Sequence, residues 1–305
     1  MRKVLFISPH LDDAVFSCAA RILRESEAGA QVTVATVFSH ARPLSAQCQE
    51  YVIRRTEDVD ALRWLGGKPL WLGLFDAPCR NLFYDSFRRI VLETAPGDWE
   101  QVQVVRKQIA CLLVEMVPDA LYLPLGVGSH IDHRMVFAAG ATLVPNCPLY
   151  FYEDQPYAMV RQSVHLRFQE IQAAAMGGNI PLASINLSLE ERRLDFLKSF
   201  RDAPYVRRYL RSAGERRHCE TELCRKLGLA LKPHLHLERK TEMANALDQG
   251  RIMNALYAYR SQARSFLGDR RRLIQLGRSH ARRQGFKGWR AEHVWTLVRR
   301  REAKA

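Results

Sequence analysis

Acid is in short supply in this chain of 305 residues: 32 Asp and Glu stand against 46 Lys and Arg, a formal net charge of +14. Such an excess brings nucleic acid and anionic membrane surfaces to mind as partners. The motifs for either are missing. There is no zinc-finger, RRM or helix-turn-helix pattern, and no apolar run approaches the roughly 20 residues that a membrane-spanning helix needs. Cysteine is sparse as well. The seven cysteines are odd in number and lack Cys-x-x-Cys spacing, which excludes a disulfide framework and a cysteine-based zinc site and points to a reducing compartment. His218-Cys219 with Cys224 is a local grouping read as surface chance. Met1-Arg2-Lys3-Val4 leads into an apolar stretch without the core and cleavage site of a signal peptide, so a cytoplasmic location is expected. Gly126-Val127-Gly128 lacks the third glycine of a dinucleotide-binding loop, which argues against that class of enzyme. Internal repeats and low-complexity segments are absent too.

What is present is a hydrophobic content of 47%, enough to fill a proper interior, and two polar clusters placed alike. The first, Ser8-Pro9-His10-Leu11-Asp12-Asp13, follows the apolar run Val4-Leu5-Phe6-Ile7, which reads as a buried parallel strand. The second, Gly128-Ser129-His130-Ile131-Asp132-His133, follows Ala120-Leu121-Tyr122-Leu123-Pro124-Leu125. In open α/β sheets, ligands bind outside the carboxyl ends of the strands, so two such clusters can form one site. His10 and Asp13 are three residues apart, as are His130 and His133, and on a helical turn that spacing shares a face. Imidazole with carboxylate suits zinc, whose catalytic sites take three protein ligands and leave a fourth position to water. The reading is His10, Asp13 and His133 as ligands, with Asp12 and His130 left for proton transfer. Zinc is the expected ion, and another divalent transition metal fits the same donors.

The two motifs, Pro-His-x-Asp-Asp and His-x-Asp-His, resemble those of the zinc-dependent de-N-acetylases of the PIG-L/LmbE type. The resemblance covers residues 1 to 155 and, faintly, 240 to 265, where Ala258-Tyr259-Arg260-Ser261-Gln262 looks like the family's late helix. It implies His10, Asp13 and His133 as metal ligands, Asp12 as general base and His130 as the group that stabilises the intermediate. The implied reaction removes an N-acetyl or longer N-acyl group from an amino sugar, itself anionic or attached to a lipid, thiol precursor or antibiotic aglycone. Zinc brings the pKa of a bound water toward about 7, Asp12 accepts its proton, and a protonated His130, favoured and oriented by Asp132, holds the oxyanion. Whether Asp12 or His130 returns the proton to the amine stays open. The chain departs from the family at Ser8 and Ala14, where many members have Ala and Glu, and at Gly128, where some relatives carry a Tyr. Any oxyanion role of that Tyr is then absent or filled from elsewhere.

The rest of the chain alternates strand and helix: helix from Ala14, strand from Gln31, helix from about Gln47 to Leu65, strand from Pro69 to Leu74, helix from Trp99 to Val117, strand from Pro148 to Tyr152. This predicts a Rossmann-like, doubly wound, mostly parallel sheet. Residues 1–155 form the catalytic core, and 156–305 a mostly helical continuation of the same domain. Arg54 and Asp76 are candidates for substrate contact by the same resemblance; an Arg54/Glu57 ion pair within the helix and a turn aspartate are the alternatives. Glu153 and Asp154, at another strand end, read as solvated loop charge, with a place in the pocket as the alternative. Leu189 to Phe200 and Lys240 to Phe266 look like amphipathic helices. Between Arg270 and Ala305, twelve Lys and Arg face two acids, and Trp289, His293, Val294, Trp295 and Val298 fall at helical intervals. A helix packed by its apolar side with solvated arginines is expected there. Attraction of an acidic substrate remains an alternative, and specific nucleic-acid binding is not expected. A noncatalytic, basic binding protein on the same fold is the competing function, but it has no use for a base beside a metal.

Overall fold

Seven strands, β1 (Lys3–Ser8), β2 (Gln31–His40), β3 (Gly67–Phe75), β4 (Ala120–Pro124), β5 (Leu149–Tyr152), β6 (Leu235–Ala244) and β7 (Arg290–Arg299), form one sheet in the order β3-β2-β1-β4-β5-β7-β6. This is a computed structural model, and it describes residues 1–43, 48–159, 163–165, 167, 168, 171 and 235–299. The first five strands run parallel, while β7 pairs antiparallel with both β5 and β6. From β1 the chain winds outward to β2 and β3, then returns to β4 on the other side of β1. The order therefore reverses between β1 and β4, and this is where open α/β sheets place their ligands. Both polar clusters leave the sheet at that point.

Val4, Leu5, Phe6 and Ile7 are all fully buried because β1 is covered on both faces. Val4 and Phe6 join α1 (Asp13–Glu27), α2 (Cys48–Leu65) and α7 (Gln249–Ala258) in one apolar layer. Leu5 and Ile7 join α5 (Asp98–Met116) and α6 (Ile131–Ala141) in the other. Burial on both faces explains an uninterrupted apolar run where a half-exposed strand would alternate, and each such side chain stabilises the fold by about 1.5–3 kcal/mol. Shorter helices α3 (Ala77–Arg80), α4 (Phe87–Leu92) and α8 (Ala263–Leu267), the basic α9 (Arg270–Arg283) and two 3-10 turns, Leu82–Tyr84 and Tyr157–Met159, lie around them.

The α/β fold is as expected, and the C-terminal elements differ. Lys240 to Ala244 closes a strand, and helix begins only at Gln249. The Trp289–Val298 segment is not a helix but β7, an inner strand whose Arg290 to Val294 are all buried, so it carries no alternating pattern. Six arginines of the basic stretch lie instead on α9, which buries Leu273, Leu276 and Ala281, while Arg290 is buried on β7. The segment from Leu189 to Phe200 lies outside the described residues.

Buried charge on β7 has a structural cause. Helix α1 is kinked at Cys18 (φ −131°, ψ 22°), which breaks its ladder of backbone bonds. The Glu292 carboxylate accepts the N–H groups of Ala20 at 2.9 Å and Arg21 at 3.0 Å. Arg290 pairs with Glu292 at 2.6 Å and donates to the Phe16 carbonyl on the other side of the kink. Removing one partner leaves its mate charged and buried. Glu292→Ala should therefore cost about 3–5 kcal/mol in urea unfolding; a loss under about 1 kcal/mol, the usual worth of an exposed pair, would show that the kink does not depend on it.

Candidate metal centre and active site

Ser8 ends β1 and shapes the turn after it. Its hydroxyl accepts the Ala14 N–H at 3.0 Å and donates to the His10 carbonyl at 2.6 Å. The turn brings the His10 N–H to Asp13 Oδ2 at 2.8 Å and His10 Nδ1 to the same oxygen at 3.0 Å. From the first turn of α6, at the end of β4, His133 Nε2 reaches that oxygen at 3.1 Å. Two imidazoles from different strand ends thus converge on one carboxylate oxygen.

The outer nitrogen of each imidazole is held by a buried carboxylate. His10 Nε2 lies 3.0 Å from Asp132 Oδ2, and His133 Nδ1 lies 2.7 Å from Asp154 Oδ1. Asp132 also accepts the Ala77 N–H at 2.9 Å and Arg80 Nη2 at 2.8 Å, and Asp154 accepts the Gly126 and Val127 N–H groups, each at 2.8 Å. Burial opposes a charge on His10, but Asp13 and Asp132 outweigh it and raise His10 to about 9; in the same way Asp13 and Asp154 push His133 well above its ordinary value. Burial would raise Asp13 and Asp132, yet His133 and His10 hold Asp13 low, and Arg80 and His10 hold Asp132 low.

The residues fit a divalent cation. Asp12, Asp13, Asp132 and Asp154 outnumber the nearby Arg54 and Arg80, so the cluster draws positive charge, and one donor atom each of His10, Asp13 and His133 lies within 4.8 Å of the others. Outer carboxylates that fix ring orientation and raise basicity are the usual partners of metal-binding histidines.

Asp12 stands beside this group. Burial and the Asp13 charge push it up to about 6, and Arg54 Nη2 lies 3.9 Å from its Oδ1. His130 lines the same cleft, edge-on to His10 with ring centroids 4.9 Å apart. Its Nδ1 accepts the Asp132 N–H at 3.2 Å, while burial and His10 hold its pKa well below the ordinary value. Asp132 Oδ2 is 3.9 Å from His130 Nδ1 and 3.0 Å from His10 Nε2, so its carboxylate is bonded to His10 and not to His130, the partner expected from the sequence.

Arg54 and Asp76 line the cleft, whose volume is about 230 Å³. Tyr51 donates to Asp76 Oδ2 at 2.5 Å, and Arg54 lies over the Tyr51 ring. Arg54 Nε is buried and has no hydrogen-bond partner among the described residues. Glu57 bonds the N–H and hydroxyl of Ser261 at 2.9 and 2.6 Å, and Tyr259 donates to Asp58 at 2.7 Å. Residues 258–262, expected to look like the family's late helix, are instead the end of α7 and the turn before α8, and these bonds tie that turn to α2; Gln262 and Phe266 form part of the cleft wall. Tyr157 occupies the space that a side chain at Gly128 would need: a Cβ there would lie 2.7 Å from its ring, on a backbone with φ +98°.

Arg80 and Tyr157 are not legible as site residues in the sequence, and Asp154, behind His133, takes the place in the pocket that is its alternative reading. Asp154 is 1% exposed, against the solvated loop charge expected. The signal that marks the two motifs, a carboxylate just past an apolar strand, also marks Asp154. Arg80 and Tyr157 carry no such signal, because only the packed loops bring them in.

Residues 5–144 match the family described as PIG-L, GlcNAc-PI de-N-acetylase. Over 197 residues, 61% of this chain and 67% of its relative, the sequence is 31% identical to 2'-N-acetylparomamine deacetylase of Streptomyces fradiae. The fold is shared with the teicoplanin complex of a deacetylase from the teicoplanin biosynthesis pathway, at a TM-score of 0.64 and 21% identity over 98% of this chain and 100% of that one. A zinc-inhibited form of teicoplanin deacetylase Orf2 superposes at a TM-score of 0.62, with 21% identity over 99% of this chain and 100% of that one.

Loss of an outer carboxylate should be felt by the metal. Asp154→Ala frees the His133 ring and the Gly126–Val127 backbone together, and should lower zinc affinity by about 10- to 100-fold in a competition with a coloured chelator. Unchanged affinity would place the ion elsewhere.

Proposed function

Because the chain belongs to the PIG-L de-N-acetylase family, we propose that it is a metal-dependent N-deacetylase whose cleft hydrolyses the acetamide, or a longer acylamide, of an amino sugar carried on a glycoside. Water adds across the C–N bond, the acyl group leaves as a carboxylate, and the sugar keeps a free amine. The observation that carries the reading is the convergence of His10 and His133 on Asp13, each imidazole backed by a buried carboxylate, with a further carboxylate, Asp12, left over beside them.

His10, Asp13 and His133 would hold zinc, which when bound would supply a water acidic enough to ionise near neutral pH and a Lewis acid for the amide carbonyl. The residues around it divide the remaining work. Asp12 is free of the ligand set, since one Asp13 oxygen already meets both rings, and it accepts the proton of the attacking water. Arg54 keeps Asp12 oriented and offers its unpartnered Nε to a sugar oxygen. His130 takes the Asp132 N–H on Nδ1, which leaves its proton on Nε2, so the ring donates to the developing oxyanion as a neutral imidazole and not in the protonated form expected from the sequence. Asp132 acts through His10. Its bonds to the backbone of Ala77 and to Arg80 hold that ring against rotation.

Shape bears on the substrate. A cleft of about 230 Å³ lies below the roughly 300–1,000 Å³ of drug-sized ligand pockets. It therefore takes the acylamino group and one sugar ring, and the remainder of the glycoside stays outside. Tyr157 and Phe266 supply apolar walls to the ring, and Asp76 an acceptor for its hydroxyls.

Free amine released from a panel of N-acetylglucosaminides, including aminoglycoside and glycopeptide precursors, tests the reading directly. Zinc-loaded protein that turns over none of them would leave the fold with a binding role only. Asp12→Asn should keep its zinc and its KM but lose about 10²-fold or more in kcat, the usual worth of a positioned base; a rate near that of the wild type would move the base to another group.

A further inference from the structure

Glu153 and Asp154 leave β5 as neighbours, and successive residues of an extended strand point to opposite sides. Asp154 turns to the catalytic cleft. Glu153 turns away from it, toward α9 and β7, where it is 3% exposed and meets His280 and His293, 3% and 2% exposed. We propose that Glu153, His280 and His293 form a second site for a divalent transition metal, separate from the catalytic centre and structural in role.

One donor atom of each residue lies within 4.8 Å of the other two, yet no hydrogen bond or ion pair joins Glu153 to either ring. The three face a gap too wide for a direct bond and within the span of a single ion after small shifts. Among the described residues the Nε2 atoms of both histidines are buried and have no hydrogen-bond partner, an arrangement rare for two polar atoms in the interior. Other contacts hold the donors in place. Thr241 Oγ1 meets His293 Nδ1 at 2.8 Å, fixing the ring, and Trp295 Nε1 donates to Glu153 Oε1 at 2.9 Å. On the other side, Gly277 lets α9 press against β7: a Cβ there would lie 2.0 Å from the Trp289 carbonyl oxygen. His280, almost one turn later, is thereby delivered to His293, with ring centroids 5.7 Å apart.

The donor set, two imidazoles and one carboxylate, is the one found at the catalytic centre and suits zinc. Burial, and then neighbouring charges including Arg283, Arg290 and Arg239, hold His280 down to about 3; burial and Arg239 hold His293 down to about 4. Both rings are therefore neutral at physiological pH, the form that binds metal. Burial pushes Glu153 up to about 7, so loading the site releases a proton from the fraction that is not ionised. A cavity of about 570 Å³, lined by Glu153, His280, Arg239 and Arg283, gives the ion a way in and a place for water at the fourth position. The same arginines oppose a cation, whereas four carboxylates surround the catalytic site. The second site is accordingly the weaker, and fills after the first.

Metal-free full-length protein titrated with zinc against a chromophoric chelator, with metal content counted after desalting, tests the assignment. The wild type should take up zinc in a tight and a weaker step, and its melting temperature should rise again during the second. His280→Gln/His293→Gln should lose the weaker step by at least about tenfold in affinity, as expected when ligands are removed, and keep the tight one. His10→Ala/His133→Ala should show the reverse. Glu153→Gln, which preserves volume, gives the same answer if the double variant folds poorly. A single step in the wild type at saturating zinc, or a weaker step that survives both second-site variants, overturns the proposal.

Discussion

Two carboxylate–imidazole bonds govern the active-site end of this sheet. His10, at the end of β1, is held by Asp132 after β4, and His133 after β4 is held by Asp154 after β5. Each strand thus positions the functional group of the strand before it in the sheet order. The turns that follow have to comply. Ser8 ties the first turn, Asp154 gathers the Gly126–Val127 backbone, and Asp132 reaches across to Ala77 and Arg80 at the end of β3. Four strand ends are linked before any ion is added, so the pocket is shaped by acid–base pairs within the protein. Such preorganisation is what a metal-assisted hydrolysis needs, since donors that are already oriented need no reorganisation during the reaction.

Much of this could be read from the residues alone. Val4–Ile7 and Ala120–Leu125 are apolar runs long enough for buried strands, and a parallel sheet exports polar residues at its carboxyl ends, so the pairing of the two motifs followed from topology. What spacing could not supply was the destination of each side chain. Asp132 stands beside His130 in the sequence, and its carboxylate goes to His10. Glu57 lies three residues from Arg54, yet it bonds Ser261, about 200 residues later. Asp154 reads first as solvated charge, with the pocket as its alternative, because a carboxylate in a loop is solvated far more often than buried. These are tertiary pairings, and local pattern carries no record of them.

The C-terminal region fails for another physical reason. β7 lies between two strands, and its N-terminal half is buried on both faces, so it lacks alternation; its aromatic and branched residues happen to fall at helical intervals. Arg290 and Glu292 would argue against an inner strand in most proteins. Here each neutralises the other, and both are consumed by the broken turn of α1. Gly277 on α9 answers to the same strand, having given up its side chain so that the helix can lie on the β7 backbone.

The position of β7 has a consequence for how the chain is made. Among the described strands it is the last to be synthesised, yet it separates β5 from β6, and its Glu292 caps backbone groups 272 residues upstream in α1. A nascent chain emerging from the ribosome can assemble the five parallel strands, but β6 has nothing to pair with and β5 keeps an open edge until Arg290–Arg299 arrives. Pairings so distant in sequence are slow to close, and unpaired edges are where partly folded chains stick to one another. Closure of this side of the sheet therefore waits on β7. Helix α1, which begins at the proposed ligand Asp13, gains the partner of its broken turn only once Glu292 has been made.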